Sequence, residues 1–133
     1  MKKAMLALLF VVILSSFTKI PRGGNVTTIN FTVNPADWIP TGKSGTPGCY
    51  MAYRYKTDTL TKSTFDNGMV MVYVLGTSGG GWYALPHSYY SSKVEVSTNF
   101  NYQTGYVELR TYAVNNQLAP QDISMRYKLV INQ

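Results

Sequence analysis

The chain has 133 residues, the length of one domain. Hydrophobic residues make up 45%, enough for a core, but charged residues only 14%, against roughly 25% in ordinary soluble proteins. The net charge is +6, yet no three basic residues are adjacent, which argues against a nucleic-acid groove.

Residues 1–18 read as a secretory signal peptide. Met1-Lys2-Lys3 gives a positive start, Ala4 to Leu14 an apolar stretch, and Ser15-Ser16 small residues near a cleavage point. The apolar stretch is shorter than the ~20 residues of a spanning helix, so no membrane span is expected after cleavage. No Cys follows it, so a lipid anchor is not expected either. Loss of Lys2 and Lys3 lowers the net charge to +4. Residues 19–24 (KIPRGG) form a flexible lead-in, and residues 25–133 form the domain.

Within that domain Asn25 to Val33 alternates, with Ile29, Phe31 and Val33 on one face of a first strand. Asn34 to Pro40 ends it, and Thr41 to Gly48 reads as a Gly/Pro/Ser loop. Cys49 to Lys56 is a second strand, with Met51, Tyr53 and Tyr55 on one side and Tyr50, Ala52 and Arg54 on the other. Asp58 to Asp66 lacks alternation and suits a helical turn, with Leu60 or Phe65 plugging one end of the fold. Asp66-Asn67-Gly68 is a turn signal. Behind it, Met69 to Leu75 runs without a polar break, as a strand buried on both faces would.

Gly76 to Gly80 is a hairpin loop, Gly81 to Leu85 the return strand, and Pro86 stops it. His87 to Ser92 reads as a polar, aromatic loop. Lys93 to Asn101 alternates, with Val94, Val96, Thr98 and Phe100 inward. Tyr106 to Val114 follows, with Val107, Leu109, Thr111 and Ala113 on one face and Tyr106, Glu108, Arg110 and Tyr112 on the other. After a loop holding Pro120, Ile123 to Ile131 closes the chain with Ile123, Met125, Tyr127, Leu129 and Ile131 inward. Seven strands and no long helix predict an all-β fold, a single antiparallel β-sandwich, with a small β-barrel as the alternative.

Residues 66–90 (DNGMVMVYVLGTSGGGWYALPHSYY), 100–116 (FNYQTGYVELRTYAVNN) and 123–133 (ISMRYKLVINQ) resemble small secreted β-sandwich domains of uncharacterised Bacteroidetes exported proteins and lipoproteins. The resemblance covers roughly Trp38 to Ile131. It implies a sandwich and export, and it carries no catalytic residues. It also makes Asp58-Thr59-Leu60 legible as an Asp-Ser/Thr-apolar O-glycosylation pattern, with Thr59 the acceptor.

Chemistry-bearing residues are sparse. Cys49 is the only cysteine, so an internal disulfide is excluded and a small buried residue is expected. His87 is the only histidine, which excludes a His-rich metal site. Ser88 or Ser91, His87 and Asp122 make a hydrolase set only on paper, without a Gly-x-Ser-x-Gly elbow. The acids Asp37, Asp58, Asp66, Glu95, Glu108 and Asp122 are scattered, so neither a glycosidase pair nor a calcium site is expected. No cofactor or metal is expected.

Binding is the better-founded expectation. Sugars offer apolar C–H faces to aromatic rings and hydroxyls to polar side chains. Tyr106, Glu108, Arg110 and Tyr112 make one such mixed strip, and Trp38, Trp82, Tyr83, Tyr89 and Tyr90 lie in or beside loops. The sequence therefore predicts a non-catalytic exported module, secreted or at the cell surface, that acts as a structural or adhesive subunit. The expected partner is a glycan or a protein, including a second copy of the chain, and no nucleic acid. A carbohydrate-binding module is the alternative and a secreted hydrolase the distant one. Self-assembly would use the first strand, through Ile29, Phe31 and Val33, as a donated or swapped element.

Overall fold

Alternation along the chain becomes nine strands in the computed structural model, which describes residues 24–78 and 80–133. In chain order they are β1 (Val26–Val33), β2 (Ile39–Thr41), β3 (Tyr50–Lys56), β4 (Met69–Leu75), β5 (Trp82–Ala84), β6 (His87–Ser91), β7 (Val94–Gln103), β8 (Tyr106–Ala113) and β9 (Met125–Asn132). One short α-helix, α1 (Lys62–Asn67), lies between β3 and β4. The expected signal peptide and residues 19–23 of the lead-in lie outside the described residues.

The strands form two antiparallel sheets packed face to face, so the sandwich expectation holds and the closed barrel does not. One sheet has the order β1-β9-β4-β5, the other β2-β3-β8-β7-β6. Each inner face is the apolar half of an alternating pattern. Val70, Val72 and Val74 of β4 and Tyr127, Leu129 and Ile131 of β9 meet Val107 and Leu109 of β8. Each such side chain, fully buried, contributes about 1.5–3 kcal/mol. Leu60, 2% exposed, joins the same core from the segment before α1, and Trp38 joins it from the link between β1 and β2.

α1 starts where Thr61 caps it, its hydroxyl accepting from the Thr64 N–H at 3.2 Å. It stops at Gly68, whose φ is −91°, so no left-handed turn is formed there. Glycine is required at that point for room. A Cβ would lie 2.7 Å from the Asn132 carbonyl oxygen and 2.8 Å from that of Thr64.

Several expectations change. β4 is buried on one face only. Met71, Tyr73 and Leu75 are half-buried, because no further layer covers the outside of the four-stranded sheet. Ile39 to Thr41 pairs with β3 instead of forming loop, and His87 to Ser91 is strand β6, not loop. Ser92 and Lys93, at φ 48° and 66°, form the tight left-handed turn that joins β6 to β7 without glycine or asparagine. Ile123 is 51% exposed and precedes β9, since the loop after β8 does not reach strand geometry until Met125. Of the two plugs only Leu60 is inside. Phe65 is 52% exposed and meets Tyr102 edge-on at 5.8 Å. No described helix is long and apolar enough to cross a membrane.

Candidate functional site

The outer face of the five-stranded sheet is built around β8. Tyr106, Glu108, Arg110 and Tyr112 point outward there, as alternation requires. β3 lies on one side and sets Arg54 opposite Glu108 and Ala52 opposite Arg110. Glu108 accepts from Arg54 Nη2 and from Arg110 Nε, each at 2.7 Å. Arg54 also lies 4.3 Å above the Tyr106 ring, and Arg110 lies 5.2 Å from the Tyr50 ring centre. Tyr50 and Tyr112 pack at 5.2 Å, tilted by 40°. The result is a braced ladder in which each charge already has a partner.

These contacts leave Glu108 only 7% exposed although it sits on an outer face. Burial works to raise its carboxyl, but hydrogen bonds from Arg54 and then Arg110 outweigh it and hold the group below its ordinary value. The Glu108 hydrogen bond in turn raises both guanidiniums.

On the other side β7 sets a second row in register. Ser97 is opposite Tyr112, Asn99 opposite Arg110, Asn101 opposite Glu108 and Gln103 opposite Tyr106. No described side-chain hydrogen bond engages the amides of Asn99, Asn101 or Gln103. Each amide offers donors and acceptors in fixed positions beside the tyrosines. Tyrosine rings thus lie flanked by amides that no described side-chain hydrogen bond engages.

A second feature lies at the side of the sandwich, where β5 ends one sheet and β6 begins the edge of the other. Here the sheets leave a cleft of about 290 Å³. Tyr83 pairs with Val74, and Tyr89 pairs with Val96, so both rings point into the space between sheets. His87 stacks between them, 4.6 Å from Tyr83 and 6.3 Å from Tyr89, with interplanar angles of 16° and 18°. Burial pushes the Tyr89 phenol up, partly offset by Thr98. Asp122 stands at the rim, where its Oδ2 accepts from Ser92 and, at 3.4 Å, from Ser91.

No protein-family model, curated protein or solved structure matches the chain. The reading therefore rests on the geometry of this molecule.

The expected ligand-binding residues divide among three surfaces. Tyr106, Glu108, Arg110 and Tyr112 come together as expected. Tyr90, 76% exposed and opposite Glu95, extends the same face toward β6. Tyr89 points the other way, into the cleft. Trp82 belongs to the outside of the four-stranded sheet, where Lys128 lies 4.1 Å above its ring. Ile29, Phe31 and Val33 pack into the chain's own core, as β1 pairs along its whole length with β9. Thr59 is half-buried. Its carbonyl accepts from Gln133 at 2.8 Å and its hydroxyl lies 3.2 Å from that of Thr57.

The paper hydrolase set does not assemble as a relay. Ser91 is bonded to Asp122, Ser88 faces the other side of β6, and no described hydrogen bond links His87 to either serine or to Asp122. Among the described residues no three His, Cys, Asp or Glu are grouped as metal ligands. Cys49 is buried, its thiol 3.1 Å from the Asn116 carbonyl oxygen. Sequence reasoning missed Tyr50 and Arg54 as partners of the strip, though alternation already set them on one face of their strand. It also missed Asn99 and Asn101, since only strand pairing says which strips become neighbours.

Proposed function

We propose that this chain is a non-catalytic exported module that binds carbohydrate outside the cell through the outer face of its five-stranded sheet. One observation carries the reading. A row of unengaged amides (Asn99, Asn101, Gln103) lies in register beside a braced tyrosine–arginine–glutamate ladder. The tyrosines supply apolar faces for the C–H side of a pyranose, and the amides supply hydrogen bonds to its hydroxyls. Glu108 already engages both Arg54 and Arg110, so the unengaged amides are the groups left for sugar hydroxyls. Such a braced surface loses little conformational entropy on binding.

Native electrophoresis of the mature chain through gels containing single polysaccharides tests this. Retardation by one neutral polysaccharide, reduced about tenfold in affinity by Tyr112→Ala or by Asn99→Ala, is the expected result. Retardation by acidic polymers alone, unaffected by these substitutions, would refute it.

Assembly is the second reading, and β1 supports it. β1 is an eight-residue edge strand without Pro or Lys, whereas the edge strands β2, β5 and β6 have three, three and five residues. Such an edge lacks the usual protection against strand addition. Thr28→Lys and Asn30→Lys, both at exposed positions, are expected to abolish any concentration-dependent oligomer seen by light scattering while leaving the fold intact. A strictly monomeric wild type removes this reading.

A further inference from the structure

We propose that the cleft between β5 and β6 is a subsite for one uncharged sugar residue at the end of a glycan chain whose body lies on the β7–β8 face. The inference rests on the carbohydrate reading above and adds where the chain ends and which sugars are refused.

Size comes first. At about 290 Å³ the cleft is at the small end of ligand pockets, which run from roughly 300 to 1,000 Å³. It admits one ring rather than a run of them. Its walls combine the Tyr83–His87–Tyr89 stack with apolar Val74 and Met125. This is an apolar surface for the C–H face of a pyranose.

The polar equipment is one-sided. Both serine hydroxyls bond to Oδ2 of Asp122, and Oδ1 has no partner among the described hydrogen bonds. A free carboxylate oxygen at the rim accepts strongly from a sugar hydroxyl. No Lys or Arg lines the cleft, although the protein as a whole is basic. A uronic or sialic acid would bring its carboxylate to Asp122 with no Lys or Arg in the lining to pair with either. That cost selects against acidic sugars.

The cleft is also prepared and connected. A Cβ on Gly76 would lie 2.7 Å from the Tyr83 ring, and one on Gly80 3.0 Å from its hydroxyl, so the loop before β5 leaves room for that ring to lie down. Tyr90 joins the two surfaces. It lies opposite Glu95 on the outer face, is 76% exposed, and also lines the cleft. A chain lying across the amide row passes Tyr90 at the sheet edge and ends between the sheets.

The test uses neutral hexasaccharides with glucose, mannose, galactose or xylose backbones, and an oligogalacturonate hexamer as the acidic probe. Saturation-transfer NMR reads which residue of a bound neutral chain touches protein, and calorimetry gives its affinity. Strongest saturation on one terminal residue, with affinity lowered about tenfold by both Asp122→Asn and Gly76→Ala, is the expected result. Asp122→Asn keeps the side chain's shape, so it serves where Gly76→Ala fails to fold. Binding that depends on Asn99 and Tyr112 but ignores Asp122→Asn, with saturation spread along the chain, overturns the cleft subsite and leaves the carbohydrate reading standing. Binding of the oligogalacturonate end in the cleft also overturns it. No binding of any neutral chain removes both.

Discussion

Replacing Glu108 by Gln is expected to destabilise the protein at neutral pH and to leave it nearly unchanged in acid. Glu108 is 7% exposed and accepts two charge-assisted hydrogen bonds, from Arg54 and Arg110, at 2.7 Å each. Bonds of this kind contribute about 1.5–3 kcal/mol each when shielded. Here the Arg54 side chain is 52% exposed and that of Arg110 33%, so water competes for both donors. After that discount the expected loss for Glu108→Gln is about 2 kcal/mol in total, or roughly 10 °C in Tm for a domain of this size.

The pH dependence follows from the direction of the shift. Folding holds the Glu108 carboxyl below its ordinary value, so the unfolded chain binds its proton first as pH falls. The stabilisation is fully present above the unfolded value of about 4.3 and is lost as pH falls through the folded one. The amide of the Glu108→Gln variant has no proton to gain over that range. Urea unfolding can be followed through Trp38, which is buried at 5% exposure and is freed on unfolding. The gap between wild type and variant should be about 2 kcal/mol near pH 7 and close toward pH 3. A gap that stays constant with pH, or is absent at neutrality, would refute the view that the ladder is held by the Glu108 charge.

Further expectations concern the core and the turns. Leu60→Ala should cost about 2–4 kcal/mol in urea unfolding, since it empties the plug beneath α1, whereas Phe65→Ala at its exposed site should cost far less. Tyr127→Phe should stabilise by about 1 kcal/mol. The Tyr127 hydroxyl is buried without a described partner, and its phenol is pushed up by burial and by Tyr89. A loss of stability there would mean the hydroxyl has a partner. Lys93→Gly should raise the free energy of unfolding by about 1 kcal/mol, and the midpoint with it, because Lys93 sits at φ 66°, where a side chain is strained. An unchanged or lower midpoint would count against that strain.

Legibility differs from element to element. β7, β8 and β9 were readable because each alternates over eight or more residues with one apolar face. β2 was not, since three residues ending a Pro-rich stretch carry no period of their own and owe their strand geometry to β3. β6 was hidden for a related reason. His87-Ser88-Tyr89-Tyr90-Ser91 has polar and aromatic residues on both sides, and its turn uses Ser92 and Lys93 in place of a glycine pair. In β4 the uninterrupted apolar run pointed to burial on both faces. Met71, Tyr73 and Leu75 are shielded only by neighbours within the sheet, a degree of cover that composition does not encode.

The candidate site divides in the same way. Alternation within single strands was enough to place Tyr106, Glu108, Arg110 and Tyr112 on one face, and Tyr50 with Arg54 on another. That these two strips are one ladder depends on β3 lying beside β8, two strands far apart in the chain. The amide row joins it only because β7 lies on the other side. The separation of Tyr89 from Tyr90 follows from β6 being a strand, and the meeting of Tyr83 with His87 and Asp122 from the chain crossing between sheets at Leu85–Pro86. Sequence by itself determined which residues face together within a strand, because side-chain direction has a period of two along any extended chain. Only the tertiary structure decided which strands become neighbours and where the sheets stay apart, because pairing and closure depend on contacts between residues far apart in sequence.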